Sequence, residues 1–212
     1  EIHHQLDKID EKYKAIHQNT ETHLEGLLWS KPITYWDYIQ TDALLNLQIQ
    51  RTTLPDEMVF IMYHQVNELL FKMILWEMDQ LCHTEKPSTN YFTEKLGRIS
   101  RYFDMLTTSF TIMMDGMEPE QFQKFRMSLL PASGFQSAQY RSIEIYSTEF
   151  ERLVSKDVRE KINSKSSSVE EMFEHIYWKA GATELATGKK TLTLNQFEEK
   201  YSTQLITLVK SM

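Results

Sequence analysis

The chain has 212 residues, of which 41% are hydrophobic and 25% charged, and its formal net charge is −7. An acidic chain without a basic block does not suit nucleic acid, its single cysteine excludes an intrachain disulfide, and no apolar run resembles a membrane span or a signal peptide. We therefore expect a cytoplasmic protein with no membrane or nucleic-acid partner.

Glycine and proline are scarce, with six and five residues, and such a composition favours long helices over many short strands. The length suits one large domain with a substantial core. We predict an all-α helical bundle that forms a single domain over residues 1–212, with loops at 155–169 and 181–191.

The N-terminal segment is predicted as a polar helix over residues 1–28. Apolar residues recur there at spacings of three and four from Ile2 to Ile16, which gives a narrow apolar stripe. Such a stripe suits packing on a neighbouring subunit and equally suits packing on the same chain.

An aromatic cluster follows a break at residues 29–32. Thr34 is placed to cap a short helix, with Asp37 three residues later in a position typical of a capping box. The side chains of Tyr35, Trp36 and Tyr38 form either a core anchor or an aromatic wall for a flat ligand.

The longest apolar helix is predicted over residues 57–82, with Asp56 as its cap. It is apolar on most faces, which indicates a central position in the bundle. Phe60 and His64 share one face, one turn apart. A histidine in this setting is either a hydrogen-bonded core residue or a functional group, and the pattern leaves both open.

The next helices are predicted over residues 91–114 and 120–130. The second of them carries Phe122 and Arg126 on one face, since they are four residues apart. Further helices are predicted over 137–154, 170–179 and 194–209.

A rigid corner joins two of these helices at the sequence Pro-Ala-Ser-Gly. Pro131 fixes one φ angle, and Gly134 permits a φ that other residues avoid. The corner can hold Arg126 and Ser133 in a fixed relation around a small ligand, or it can be only a capped turn between helices.

Several standard sites are excluded by their motifs. The chain has no His-Glu-x-x-His zinc helix, no Cys-x-x-Cys-His haem attachment and no glycine-rich nucleotide loop. What remains is an arginine, a histidine and many aromatic rings on helices. This set suits an aromatic ligand with one carboxylate, because the guanidinium fork binds carboxylate in a bidentate manner and histidine can hydrogen-bond an indole or a phenol.

Three blocks carry a resemblance to a known family. They are Thr-Tyr-Trp-Asp-Tyr-Ile from Thr34, Asp-Glu-Met-Val-Phe-Ile-Met-Tyr-His-Gln-Val-Asn-Glu-Leu from Asp56, and Phe-Arg-Met-Ser-Leu-Leu-Pro-Ala-Ser-Gly-Phe-Gln-Ser-Ala-Gln-Tyr-Arg-Ser-Ile-Glu from Phe125. In order and spacing, residues 33–150 resemble tryptophan 2,3-dioxygenase.

The resemblance implies a fold, a reaction and a cofactor. The fold is an all-α bundle of the haem dioxygenase type, assembled as a homotetramer whose subunits exchange N-terminal segments. The enzyme uses haem b to insert O2 across the indole C2–C3 bond of L-tryptophan, which gives N-formylkynurenine, in the first step of tryptophan catabolism.

The resemblance also implies roles for single residues. His64 matches the distal-side histidine that faces the indole N–H, and Arg126 matches the arginine that pairs with the substrate carboxylate. Phe60 and Leu129 match pocket walls. Ser133 matches a serine beside the haem edge.

Other matched positions concern the assembly and the substrate carboxylate. Tyr35, Tyr38 and Ile39 match a segment that reaches into a neighbouring subunit's pocket. Phe122 stands where the family has a carboxylate-binding tyrosine. One hydroxyl is therefore missing, and the carboxylate is expected to depend more on Arg126.

The family's proximal haem histidine has no counterpart in the matched blocks, and we expect it beyond Met212. Either the sequence is an incomplete chain, or it is a relative that lacks the usual haem ligand. Such a relative would bind an indole or an aromatic amino acid without haem, or with altered oxygenation chemistry.

Overall fold

A computed structural model describes residues 1–129, 134–159, 167–183 and 188–212. Within these ranges the regular structure is thirteen α-helices and three short 3-10 helices, and the only β features are two isolated bridges. The all-α prediction is confirmed. The same ranges contain no helix with the length and apolar character that a membrane crossing requires.

The chain divides into two compact units, Glu1–Leu47 and Gln48–Met212. The single domain over residues 1–212 stays a prediction. The N-terminal unit contains the helices α1 (Ile2–Ala15), α2 (Thr20–Trp29), α3 (Tyr35–Ile39) and α4 (Thr41–Leu44).

The single helix predicted over residues 1–28 is wrong, because the chain breaks between α1 and α2. His17 has a φ of 56°, in the left-handed region, which ends the first helix. The side chain of Asn19 then accepts hydrogen bonds from the amides of Glu21 and Thr22 and caps a new helix. The apolar period of α1 gives no sign of either feature.

The cap predicted at Thr34 is confirmed. Its hydroxyl oxygen accepts a hydrogen bond from the Asp37 amide at 3.3 Å and donates to the Asp37 carboxylate at 2.5 Å. These bonds begin α3, which carries the aromatic cluster.

The second unit, Gln48–Met212, contains nine α-helices among its described residues. They are α5 (Pro55–His83), α6 (Thr89–Ser109), α7 (Thr111–Met114), α8 (Pro119–Arg126), α9 (Ala138–Ser147), α10 (Lys156–Arg159), α11 (Val169–Glu174), α12 (Tyr177–Ala180) and α13 (Leu192–Ser211). The longest, α5, packs against α6, α8 and α9, as its apolar composition predicts.

The helices predicted in this unit differ from the observed ones in their bounds, and the one over 120–130 ends at Arg126. The helix predicted over 91–114 is divided at Phe110 into α6 and α7, and the one over 137–154 ends at Ser147. The helix over 170–179 is interrupted where Ile176 becomes extended, while α13 begins earlier than expected because Thr191 caps it. Within the predicted loop 155–169, Lys156–Arg159 forms a helical turn.

Two hydrophobic clusters form the core of this unit. One lies between α5, α6 and α9 and is centred on Ile74, Ile99 and Ile143. The other, larger cluster joins α9 to the C-terminal helices. Its buried members are Ile145, Leu153, Phe173, Ile176, Trp178, Ala182, Leu194, Phe197 and Leu205.

An ion pair is buried between α5 and α6. Lys95 Nζ lies 2.5 Å from Glu77 Oε2, and each side chain is less than a tenth exposed. Arg98, which is partly exposed, lies 3.3 Å from the other carboxylate oxygen. Burial acts to raise the pKa of the Glu77 carboxyl, but the hydrogen bonds from Lys95 and Arg98 outweigh it and hold this pKa below its ordinary value.

Candidate active site

The site is built on one face of α5, where Phe60 and His64 are one turn apart. Their ring centroids are 4.1 Å from each other. His64 is exposed, so it is not a core histidine. Its Nδ1 lies 2.8 Å from the carbonyl oxygen of Phe60.

This contact determines which ring nitrogen of His64 carries hydrogen. A carbonyl oxygen can only accept a hydrogen bond, so Nδ1 must be the donor. In the neutral imidazole, Nε2 then carries a lone pair and is an acceptor. Because the His64 side chain is exposed, this acceptor is available to a ligand.

Helix α8 packs against this face of α5 through a cluster of three phenylalanines. Phe125 is fully buried and meets Phe60 and Phe122 edge-on, with centroid distances of 5.5 Å in both pairs. The Phe60 and Phe122 rings are 6.2 Å apart. These aromatic contacts bring the two helices together at the site.

Arg126 ends α8 on the side of Phe122, with its guanidinium carbon 5.8 Å from the centroid of that ring. It is exposed and makes no ion pair with any residue that the structure describes. A guanidinium without a carboxylate partner, beside an aromatic cluster, is suited to an anionic group of a ligand.

The structure thus brings together four of the predicted site residues: Phe60, His64, Phe122 and Arg126. Leu129 is half-buried and ends the short 3-10 helix Met127–Leu129 that directly follows Arg126.

Ser133 lies outside the described residues, together with most of the predicted Pro-Ala-Ser-Gly corner. Tyr35, Tyr38 and Ile39 lie in the N-terminal unit, where they are 71%, 75% and 40% exposed. Large aromatic side chains with this exposure do not form a core anchor within their own unit.

The cap predicted at Asp56 is wrong, because Leu54 precedes the first helical residue, Pro55. The Asp56 carboxylate instead accepts a hydrogen bond from the backbone amide of Glu118, at 2.7 Å, just before α8. The backbone amide of Asp56 donates to Gln121 Oε1 at 3.2 Å. The sequence alone does not predict these two hydrogen bonds, and their only sequence signal is that both helices begin with proline.

Glu57 anchors the segment that leads into α5. It is fully buried and accepts hydrogen bonds from the amides of Arg51 and Thr52, at 2.8 and 2.7 Å, and from the Thr52 hydroxyl at 2.5 Å. Burial acts to raise the pKa of the Glu57 carboxyl, but these hydrogen bonds outweigh it and hold this pKa below its ordinary value.

Gln139 ties α9 to the turn of α5 that follows His64. Its Nε2 donates to both the backbone carbonyl and the carboxylate of Glu68, each at 2.8 Å. The helix that carries His64 is therefore held by polar contacts before and after the site. Sequence periodicity could not reveal this contact, which joins residues 71 positions apart.

The sequence profile of the tryptophan 2,3-dioxygenase family matches residues 19–196. The chain belongs to the tryptophan 2,3-dioxygenase family. The matched range includes the whole α5–α8 site and the aromatic helix α3.

Several curated relatives are named tryptophan 2,3-dioxygenase. A tryptophan 2,3-dioxygenase from Herpetosiphon aurantiacus is 43% identical over 118 residues, which are 54% of this chain and 45% of that protein. One from a Ruegeria species is 38% identical over 113 residues, 53% of this chain and 40% of that protein. One from Alteromonas mediterranea is 38% identical over 125 residues, 54% of this chain and 34% of that protein. The chain spans less than half the length of these relatives.

Proposed function

We propose that this chain carries the substrate-binding side of a haem-dependent tryptophan 2,3-dioxygenase. The reaction inserts both atoms of O2 across the indole C2–C3 bond of L-tryptophan and gives N-formylkynurenine. The observation that carries the proposal is the pair formed by the acceptor Nε2 of His64 and the guanidinium of Arg126, which makes no ion pair with a described residue; both contact one aromatic cluster.

The two polar groups match the two polar ends of tryptophan. The indole N–H donates to His64 Nε2, and the carboxylate pairs with the Arg126 guanidinium. Phe60, Phe122 and Leu129 line the space between them and contact the flat indole ring. Held at both ends, the ring presents its C2–C3 bond in one orientation, and such positioning lowers the barrier to reaction.

Haem b is the proposed cofactor, and its iron supplies the site at which O2 is activated. The residues described above fit the substrate-facing side of such a flat, largely apolar group, since they combine phenylalanine rings with one histidine. Ser133 is the residue that we propose at the haem edge. Within the described ranges no cluster of histidine, cysteine or acidic side chains could hold a metal ion, and we assign the iron ligand to none of these residues.

The alternative, binding of an indole or aromatic amino acid without oxygenation, is not favoured. The relatives described above are named as dioxygenases, and the residues expected at the two ends of the substrate are both present and close to one aromatic cluster. The missing hydroxyl at Phe122 changes how the carboxylate is held but leaves Arg126 in place.

We also propose a homotetramer in the cytoplasm, in which α3 of one subunit covers the pocket of another. The exposure of Tyr35 and Tyr38 supports a partner for α3. The test is coexpression of a Tyr35→Ala/Tyr38→Ala variant with an Arg126→Ala variant. Activity above the sum of the two separate variants is expected, because mixed assemblies contain intact sites. Activity equal to that sum would contradict exchange of α3.

The proposed reaction is tested with the full-length protein loaded with haem, L-tryptophan and a reductant under ¹⁸O2. Mass spectrometry of the fresh product should show N-formylkynurenine with two ¹⁸O atoms. A parallel reaction in ¹⁶O2 and H2¹⁸O controls for exchange with water. Unchanged tryptophan, or a product with a single label from O2, would overturn the proposal.

A further inference from the structure

Helices α5 and α8 begin side by side, and two hydrogen bonds join the first turn of α5 to the start of α8. Both have proline at their first position, and in neither helix does the side chain of the N-cap residue, Leu54 or Glu118, make a capping hydrogen bond. The first amides of a helix have no partner within the helix. Here the amide of Asp56 donates to Gln121 Oε1, and the amide of Glu118 donates to Asp56 Oδ2.

These two hydrogen bonds lie at the start of both helices that carry the candidate site. Along α5, Asp56 is followed by Phe60 and His64 at intervals of one turn. Along α8, Gln121 is followed by Phe122 and then by Arg126, one further turn away. The relative position of the two helix starts therefore sets the relative position of His64 and Arg126.

The side chain of Arg126 has no described ion pair that would hold it in place. Its position depends on the backbone of α8, which has only eight residues. The buried Phe125 holds that helix against Phe60 through a ring contact, which is less directional than a hydrogen bond. The hydrogen bonds at the helix start add the directional constraint.

We propose that Asp56 and Gln121 are positioning residues for substrate recognition, which hold Arg126 in register with His64. The inference rests on the proposed function, because it assigns the register to a ligand with a carboxylate at one end and an indole N–H at the other. Asp56 is the stronger member, since its carboxylate accepts the shorter, charge-assisted bond.

The test compares the affinities of L-tryptophan and tryptamine, which lacks the carboxylate, by calorimetry on the full-length, haem-loaded protein. In Asp56→Ala the preference for tryptophan should fall by about tenfold, because small displacements of a positioned group have large effects. Tryptamine affinity should stay close to that of the wild type. Asp56→Asn keeps an acceptor oxygen and should retain most of the preference.

The matched control is Asp79→Ala on the same helix. Asp79 also accepts a hydrogen bond across a helix interface, from Tyr146 of α9 at 3.4 Å, and lies away from the site. Asp79→Ala should leave the preference for tryptophan over tryptamine unchanged. If Asp56→Ala does not fold, Gln121→Ala, which removes the longer bond, should reduce the preference in the same direction.

The outcomes separate this inference from the proposed function. A wild-type preference for tryptophan that survives Asp56→Ala and Gln121→Ala would overturn the positioning role and leave the proposed function standing. An equal loss of tryptophan and tryptamine affinity would show a purely structural role and would also overturn it. A wild-type protein without any preference would overturn both proposals.

Discussion

The Nδ1–H of His64 is bonded to the carbonyl oxygen of Phe60 at 2.8 Å, one turn earlier on α5. This contact orients the exposed ring, and in the neutral imidazole it leaves Nε2 as the acceptor. The imidazole also lies against the phenyl ring of Phe60, with the two ring planes tilted by 35°.

The acceptor role of His64 predicts that His64→Ala loses discrimination for the indole N–H. The wild type should bind L-tryptophan more tightly than the analogue in which sulfur replaces the indole nitrogen, by about 1 kcal/mol, the net value of one hydrogen bond. The variant should bind both equally, as calorimetry would show. His83→Ala is the matched control, since His83 makes the same type of contact to the Asp79 carbonyl at 2.9 Å. A difference that persists in His64→Ala would exclude this role.

The missing hydroxyl at Phe122 predicts a gain of function. Phe122→Tyr should strengthen tryptophan binding by about 1.5 kcal/mol, or about tenfold, because the new hydroxyl can donate to the substrate carboxylate beside Arg126. Tryptamine binding should not change. Phe92→Tyr, on an exposed position of α6, is the control. Equal strengthening of both ligands would show that the hydroxyl does not meet the carboxylate.

The buried ion pair of Glu77 and Lys95 predicts that removal of Lys95 alone destabilises the fold, and that removal of both charges restores most of the stability. Lys95→Met should reduce the free energy of unfolding by about 3–5 kcal/mol, because it leaves a buried carboxylate with only a partial partner in Arg98. The double variant Glu77→Leu/Lys95→Met should recover most of that loss. Urea unfolding measures both.

Arg98, the more exposed partner of Glu77, provides the control. Arg98→Met should cost only about 0.5–1 kcal/mol, because Arg98 is 41% exposed and its ion pairs are screened by water. A Lys95→Met variant that unfolds no more easily than Arg98→Met would contradict the account of this pair.

Helix content and the central position of α5 could be predicted from apolar periodicity, because packing on a core imposes that period. Interruptions at His17 and Ile176 could not. They depend on a single left-handed or extended residue within an otherwise helical pattern, and neighbouring side chains supply the caps. Prediction therefore succeeded for the existence of most helices and failed for several of their ends.

The roles of the candidate-site residues stay predictions, and the sequence could supply only part of their arrangement. Resemblance pointed to Phe60, His64, Phe122 and Arg126, and the structure brings them together. The resemblance could not give the tautomer of His64, because that depends on the distance between Nδ1 and the Phe60 carbonyl oxygen. The resemblance also could not give the two hydrogen bonds between Asp56 and the start of α8, because contacts between residues more than 60 positions apart leave no periodic signal.

The central claim is that Arg126 recognises the carboxylate of tryptophan, and one comparison tests it most directly. Calorimetry on the full-length, haem-loaded protein would give the affinities of L-tryptophan and tryptamine in the wild type, in Arg126→Ala and in Lys124→Ala, which removes an exposed cation from the same helix. Loss of two charge-assisted hydrogen bonds should reduce the preference for tryptophan by about a hundredfold in Arg126→Ala. Lys124→Ala should keep the wild-type preference. An unchanged preference in Arg126→Ala would contradict the account.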